Sequence, residues 1–161
     1  MAIEIERKFL VQDTGFLTGH QGTELKQGYL TKGPVTVRIR QAGEKGFITV
    51  KGLAQGISRT EYEYEIPVAD AQAMLIQLCR HPIIEKTRYL INHRAHTWEV
   101  DVFHGLNRGL VIAEIELESP DESVDLPSWI AREVSNDSRY FNASLTQQPY
   151  TLWDDNTNEA P

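Results

Sequence analysis

Cysteine is nearly absent from this sequence: Cys79 stands alone, so no disulfide can form within the chain, and no CxxC or zinc-like spacing surrounds it. Long apolar runs are absent too, since no stretch approaches the roughly 18 residues of a membrane-spanning helix. The opening residues do not follow the pattern of a secretory signal, and a reducing, cytoplasmic setting is the expectation. Positive charge is in deficit, with 16 Lys and Arg against 23 Asp and Glu, a net charge of −7. Bulk attraction to nucleic acid or to an anionic membrane is thereby disfavoured, although a local basic site is not. Internal repeats, low-complexity blocks and inter-domain linkers are missing as well. One domain over residues 1–153 is expected, followed by a disordered tail over 154–161. The five histidines show no metal-ligand spacing. There is no P-loop and no convincing Ser/His/Asp arrangement.

What the sequence does have is alternation. In AIEIERKFLV, residues 2–11, Ile3, Ile5 and Phe9 fall on one face of a strand and Glu4, Glu6 and Lys8 on the other. The same division recurs along the chain. Arg38 and Arg40 oppose Val37 and Ile39, and Thr49 and Lys51 oppose Ile48 and Val50. Glu61, Glu63 and Glu65 oppose Tyr62, Tyr64 and Ile66. Lys86 and Arg88 share a face, as do Glu99 and Asp101. Glu114, Glu116 and Glu118 oppose Ala113, Ile115 and Leu117. With TELKQGYLT, which its residues and flanking turns also mark as a strand, these make eight candidate strands. A helix is predicted over VADAQAMLIQLCR, with Asp70 near its start and Pro82 beyond its end. Weaker helical signals lie at PSWIAREV and NASLTQQ, and TGFLTGH reads as a helical turn or loop.

A polar outer face is normal for a half-buried antiparallel sheet. Like charges at i and i+2, only about 7 Å apart on one face, are not the usual mixture there. Eight strands are enough to close a barrel, and closure would turn the charged faces into the lining of a wet lumen. Charges held in such a lumen are costly unless partnered. Some pair with one another; the remainder suit a divalent cation for the acids and a polyanion for the bases, as in metal-bound polyphosphate.

The residues that carry this pattern also carry a family resemblance. EIERKFLV contains an ExExK motif, and QGYL, VRIR, VKG, RTEYEYEIP, EKTRY, DVF, AEIELES and SRYFN follow it in order over nearly the whole chain. The series resembles the CYTH domain, or triphosphate tunnel metalloenzyme, family and within it the short bacterial inorganic tripolyphosphatases. The resemblance implies a mainly β, α+β fold: a closed antiparallel eight-stranded barrel around a charged tunnel, with helices outside and a C-terminal helical cap. It implies hydrolysis of inorganic tripolyphosphate to pyrophosphate and phosphate with Mg²⁺ or Mn²⁺, and side activity on nucleoside or thiamine triphosphates.

By the same resemblance Glu4, Glu6, Glu114 and Glu116 hold metal, with Glu63 and Asp101 as further or outer-shell ligands or as partners of the bases. Lys8, Arg38, Arg40, Lys51, Lys86, Arg88 and Arg139 bind phosphate, Arg139 from the capping segment. Glu4, Glu6, Lys8 and Glu116 form the catalytic set. Relatives with two consecutive bases at the cap differ from this chain, which has Ser138 before Arg139. Glu61, Glu65, Glu99, Glu118, Arg7 and Arg59 are expected on the exterior. Two other functions fit the same frame: an adenylate cyclase, which also needs an adenine pocket, and a non-catalytic module that binds polyphosphate or nucleotide. An apolar barrel exterior is compatible with a homodimer. No nucleic acid and no membrane is expected as a partner.

Overall fold

Period-two alternation in the opening residues becomes strand β1 (Ile3–Val11), and the other alternating segments fold likewise. They are β2 (Thr23–Tyr29), β3 (Thr36–Ala42), β4 (Lys45–Lys51), β5 (Ser58–Ile66), β6 (Ile84–His93), β7 (His96–Phe103) and β8 (Val111–Glu116). The structure is a computed structural model that describes residues 3–31 and 33–154; most of the tail expected over 154–161 lies outside the described residues. Neighbouring strands are antiparallel in the order β5-β4-β3-β2-β6-β7-β8-β1, and β5 returns to pair with β1. The closing seam is short, formed by Ile3 with Thr60, Glu4 with Arg59 and Ile5 with Ser58. The eight expected strands therefore form one closed barrel.

A ninth strand, β9 (Ile130–Glu133), corrects the helical reading of PSWIAREV. β5 leaves the outer edge of β1 after Ile5, and β9 takes the vacated hydrogen bonds at Phe9 and Val11. An unpaired strand edge is a stronger local demand than a weak helical period. The other helical signals hold: α1 spans Val68–Gln77, α2 spans Asn142–Gln147, and residues 15–17 form a single 3₁₀ turn.

Three apolar clusters surround and cap the barrel. On one outer side, α1 lays Ala71 and Leu75 over Ile39, Ile48 and Ile66. The helix comes so close that a Cβ at Gly46 of β4 would stand 2.8 Å from the Ala71 Cβ, which is why only glycine fits there. On the opposite outer side, Phe9, Trp98, Val100, Ala113 and Ile115 are covered by Phe16, Leu17, Trp129 and Ile130. Phe16 stacks on Trp129, and Trp129 meets Trp98 edge-on. These outward residues are the apolar partners of the charged inward ones.

The third cluster lies within the bore. Leu10, Ile84, Phe103 and Ile112 are each two residues from an inward-facing charged group: Lys8, Lys86, Asp101 and Glu114. They therefore point inward too. Tyr140, Leu145, Tyr150 and Trp153 of the C-terminal segment pack on them. One end of the bore is thus filled like an ordinary small barrel, and the remainder is a charged cavity.

Candidate active site

The cavity has a volume of about 430 Å³. Its wall includes Glu4, Glu6, Lys8, Arg38, Arg40, Lys51, Glu63, Lys86, Arg88, Glu114 and Glu116, all of them sites expected from the sequence. The strand order sorts these charges. β8, β1 and β5 are consecutive in the ring and bring Glu114, Glu116, Glu4, Glu6, Glu61 and Glu63. β3, β2 and β6 are consecutive on the far side and bring Arg38, Arg40, Lys86 and Arg88. In a ring of eight, β8 stands opposite β3 and β5 stands opposite β6. An acidic wall therefore faces a basic wall.

On the acidic wall, register works against electrostatics. Glu6 is the direct cross-strand partner of Glu116, and Lys8 that of Glu114. Like charges directly opposite each other destabilise a sheet. Burial, and then the negative charges of Glu114 and Glu4, push the Glu6 carboxyl well above the usual range. Glu114 moves the other way: burial opposes its charge, but Lys8 and Arg88 outweigh it and hold the carboxylate ionised. Glu4 is raised chiefly by burial, with Lys51 pulling against it. The Lys51 Nζ lies between two carboxylates, 3.0 Å from Glu4 and 3.4 Å from Glu61. Burial and Arg38 work against the Lys51 ammonium, but Glu4 and Glu6 keep its pKa above the ordinary value.

The basic wall is braced from beneath. Arg88 makes paired bonds to the fully buried Asp101, from Nε to Oδ1 at 2.8 Å and from Nη2 to Oδ2 at 2.9 Å. Its Nη1 donates to Glu99 at 3.0 Å. Lys86, 1% exposed, places Nζ 2.7 Å from Asp101. Burial pushes the Lys86 ammonium down to about 7, with Arg88 and Arg40 adding to the fall and Asp101 opposing it. Burial, with Arg38 and Arg88 nearby, lowers Arg40 to about 10. Arg38 donates from Nη2 to Thr49 at 3.2 Å, while its Nε–H is buried with no hydrogen-bond partner among the described residues. A buried, unpaired guanidinium donor in a cavity wall calls for an anion.

Two expected residues lie away from the cavity lining. Asp101 lies behind the wall, where Lys86 and Arg88 take both of its oxygens; it is a partner of the bases. Arg139 turns to Asp137, 2.6 Å away, and stacks over Tyr140 and Trp153. Conversely, Glu61, Glu99 and Arg59, expected outside, line the cavity. Arg7 pairs with Glu133 at 2.8 Å, away from the lining residues, and Glu65 pairs with Lys45. The sequence reading also passed over Tyr29, Ser135, Phe141 and the pair Gln27 and Asn142. Alternation along β2 puts Gln27 and Tyr29 on one face, so this was a readable signal for Tyr29. No period brings Ser135, Phe141 or Asn142 to the bore.

Among the described residues, no three His, Cys, Asp or Glu side chains surround a common point as a ready metal shell. The donors nonetheless fit a hard divalent ion. Mg²⁺ binds through one or two carboxylates, several waters and substrate phosphates rather than a closed protein cage. The opposed Glu6 and Glu116, and the charge-burdened Glu4, are carboxylates whose ionised state a cation would favour.

A closed antiparallel barrel in which an acidic wall faces a basic wall across one cavity defines a β-barrel with a charged bore. More particularly, the chain belongs to the CYTH domain family, whose sequence pattern matches residues 2–150. It is 48% identical over 151 residues to an inorganic triphosphatase of Acetivibrio thermocellus, spanning 93% of this chain and 97% of that one. It is 38% identical over 148 residues to an inorganic triphosphatase of Nitrosomonas europaea, spanning 88% and 95%. A crystal structure of an inorganic triphosphatase, 34% identical, covers 96% of this chain and 97% of its own with a TM-score of 0.65.

Proposed function

We propose that this chain hydrolyses inorganic tripolyphosphate to pyrophosphate and phosphate in the charged bore, with Mg²⁺ or Mn²⁺ as the resident cation. One observation carries the reading: acids and bases on opposite walls of a single cavity, with an Arg38 Nε on the basic side that has no partner among the described residues. A module that only bound phosphate would have no use for a row of carboxylates along one wall of the cavity. The names of the two relatives point the same way.

Phosphoryl transfer needs positioning and charge neutralisation more than covalent chemistry from the protein. Arg38, Arg40 and Arg88 offer planar donors for phosphate oxygens, and Lys86 and Lys8 offer point charges. These groups hold the chain of phosphates and stabilise the charge that collects on the departing pyrophosphate. Glu4, Glu6, Glu114 and Glu116 would hold the cation, with Glu63 toward the outer shell. When bound, the cation neutralises phosphate oxygens and acidifies a water for in-line attack. The wall at Glu4 and Lys51 is joined by the loop residues Leu53, Ala54 and Ile57, away from the apolar filling of the bore. An organic group could project there, so nucleoside and thiamine triphosphates are expected as side substrates.

The test is to incubate pure protein with tripolyphosphate, ATP or thiamine triphosphate, each with Mg²⁺, Mn²⁺ or EDTA, and to measure phosphate and cyclic AMP. Metal-dependent phosphate release from tripolyphosphate is the expected result. Cyclic AMP from ATP would make the chain a cyclase, and tight binding without turnover would make it a binding module.

A further inference from the structure

The basic wall and the apolar filling of the bore meet at two neutral amides, Gln27 and Asn142. Gln27 is 0% exposed, although it stands among charges on the inward face of β2. Its Nε2 donates to the Asn142 Oδ1 at 3.0 Å, and its Oε1 accepts from the Arg40 Nε at 2.9 Å. The Lys86 Nζ donates to the same Asn142 Oδ1 at 2.9 Å. One oxygen, carried by the first residue of α2, thus collects Lys86 directly and Arg40 through Gln27. The helix that carries it is anchored by Leu145 in the apolar filling.

Donor counts show what this does for the bases. An ammonium has three N–H groups. Asp101 and Asn142 take two of those on Lys86, leaving one for a ligand in the cavity that Lys86 lines. A guanidinium can bind phosphate along its Nε edge or between its two Nη groups. Gln27 occupies the Arg40 Nε, which leaves the Nη groups for the cavity. Asn142 and Gln27 are uncharged, so they orient the bases without adding to the negative charge that Asp101 already brings. A carboxylate in either place would fix the geometry and cancel the field.

We infer that Asn142, acting with Gln27, is a positioning residue through which the C-terminal cap aims Lys86 and Arg40 at the phosphates of the substrate. The inference rests on the tripolyphosphatase reading. It extends that reading to a pair of residues that have neither metal-binding nor acid–base chemistry of their own.

The test is steady-state hydrolysis of tripolyphosphate with Mg²⁺ by wild type, Asn142→Leu, Asn142→Asp, Gln27→Met and the double variant Asn142→Leu/Gln27→Met. Melting temperatures are recorded alongside. Asn142→Leu keeps the volume and removes the acceptor, so kcat is expected to fall about tenfold. Asn142→Asp keeps the acceptor but adds an anion beside the substrate. It should hold kcat within about threefold of wild type while raising KM about tenfold. Gln27→Met should resemble Asn142→Leu, and the double variant should lose little more than the worse single change, because both break one network. Wild-type kinetics in Asn142→Leu, equal loss of kcat in the Leu and Asp variants, or additive losses in the double variant would each overturn the inference. Should Asn142→Leu fail to fold, Gln27→Met decides, with unchanged kcat and KM counting against. A wild-type protein that neither hydrolyses nor, by calorimetry, binds tripolyphosphate overturns the functional reading and this inference together; active wild type with indifferent variants overturns the inference alone.

Discussion

The two halves of the bore are lined by the same faces of the same strands, yet one half is a packed core and the other a cavity of ionised groups. Two residues separate Lys8 from Leu10, Lys86 from Ile84, Asp101 from Phe103 and Glu114 from Ile112. In the apolar half, Tyr140, Leu145 and Trp153 fill the space and satisfy the wall by contact alone. In the charged half none of the described residues fills the space in this way, and the two walls differ in how they manage. The basic wall is largely satisfied by Asp101, Gln27 and Asn142 behind and beside it. The acidic wall is satisfied only in part: Lys51 serves Glu4 and Glu61 and Lys8 stands opposite Glu114, but Glu6 faces Glu116 across the strand pair. The lesson is that the bases are held in place by neighbouring acceptors, whereas two of the acids are set directly against each other.

The largest expected effect follows from removing charge on the acidic wall. Glu4→Gln and Glu116→Gln should each lower kcat/KM for tripolyphosphate by roughly 10³-fold, about 4 kcal/mol, without a change in circular dichroism. Near-wild-type rates in both would erase the distinction between the walls. Next comes the apolar half. Leu145→Ala, at a fully buried site, should cost about 2–5 kcal/mol of stability by urea unfolding, through lost burial and the cavity left behind. A loss below about 0.5 kcal/mol would show that the C-terminal segment does not fill the bore.

A third prediction sharpens the comparison through pH. Burial, then Glu114 and Glu4, raise Glu6, and burial raises Glu4. Carboxyls with raised folded pKa values contribute stability below the unfolded value near 4.3, and that contribution is lost as pH rises through the folded value. The lowered Glu114 opposes this over its own range, where stability is gained as pH rises toward the unfolded value. A cation stabilises the ionised pair, so the rise in Tm produced by Mg²⁺ should be several degrees larger at about pH 8 than at about pH 5. A Mg²⁺ effect independent of pH would place the ion elsewhere. The smallest effect is reserved for Arg139, which is engaged with Asp137 and Trp153 rather than the cavity. Arg139→Ala should change kcat/KM by less than about twofold, because Arg139 does not line the cavity.

Much of this was readable from spacing. Period two, with strand and turn signals at TELKQGYLT, marked all eight barrel strands, and the repeated like charges at i and i+2 marked the face that turns inward. Glu61 and Glu99 were assigned outward because strand position alone does not reveal how far a wall extends; closure at Thr60 and the reach of Arg88 bring them in. The apolar filling was latent in the same alternation, since Leu10, Ile84, Phe103 and Ile112 continue the inward rows. What hid it was the assumption that an inward face keeps one character along its length. No local signal marked β9 as a strand, and SRYFN and NASLTQQ, which both contain Asn142, did not mark that residue as part of the site. β9 is a strand because β5 vacates the edge of β1, and Asn142 enters the site because α2 docks on the filled end. Both are consequences of tertiary packing.

The central claim is that the acidic wall is a cation site completed by the substrate. Titration of Mn²⁺ into protein, with free Mn²⁺ counted by electron paramagnetic resonance, tests it most directly. Wild type should withdraw Mn²⁺ from solution, more tightly in the presence of a non-hydrolysable triphosphate, and Glu6→Gln should weaken this at least about tenfold. Equal Mn²⁺ affinity in wild type and Glu6→Gln would contradict the account.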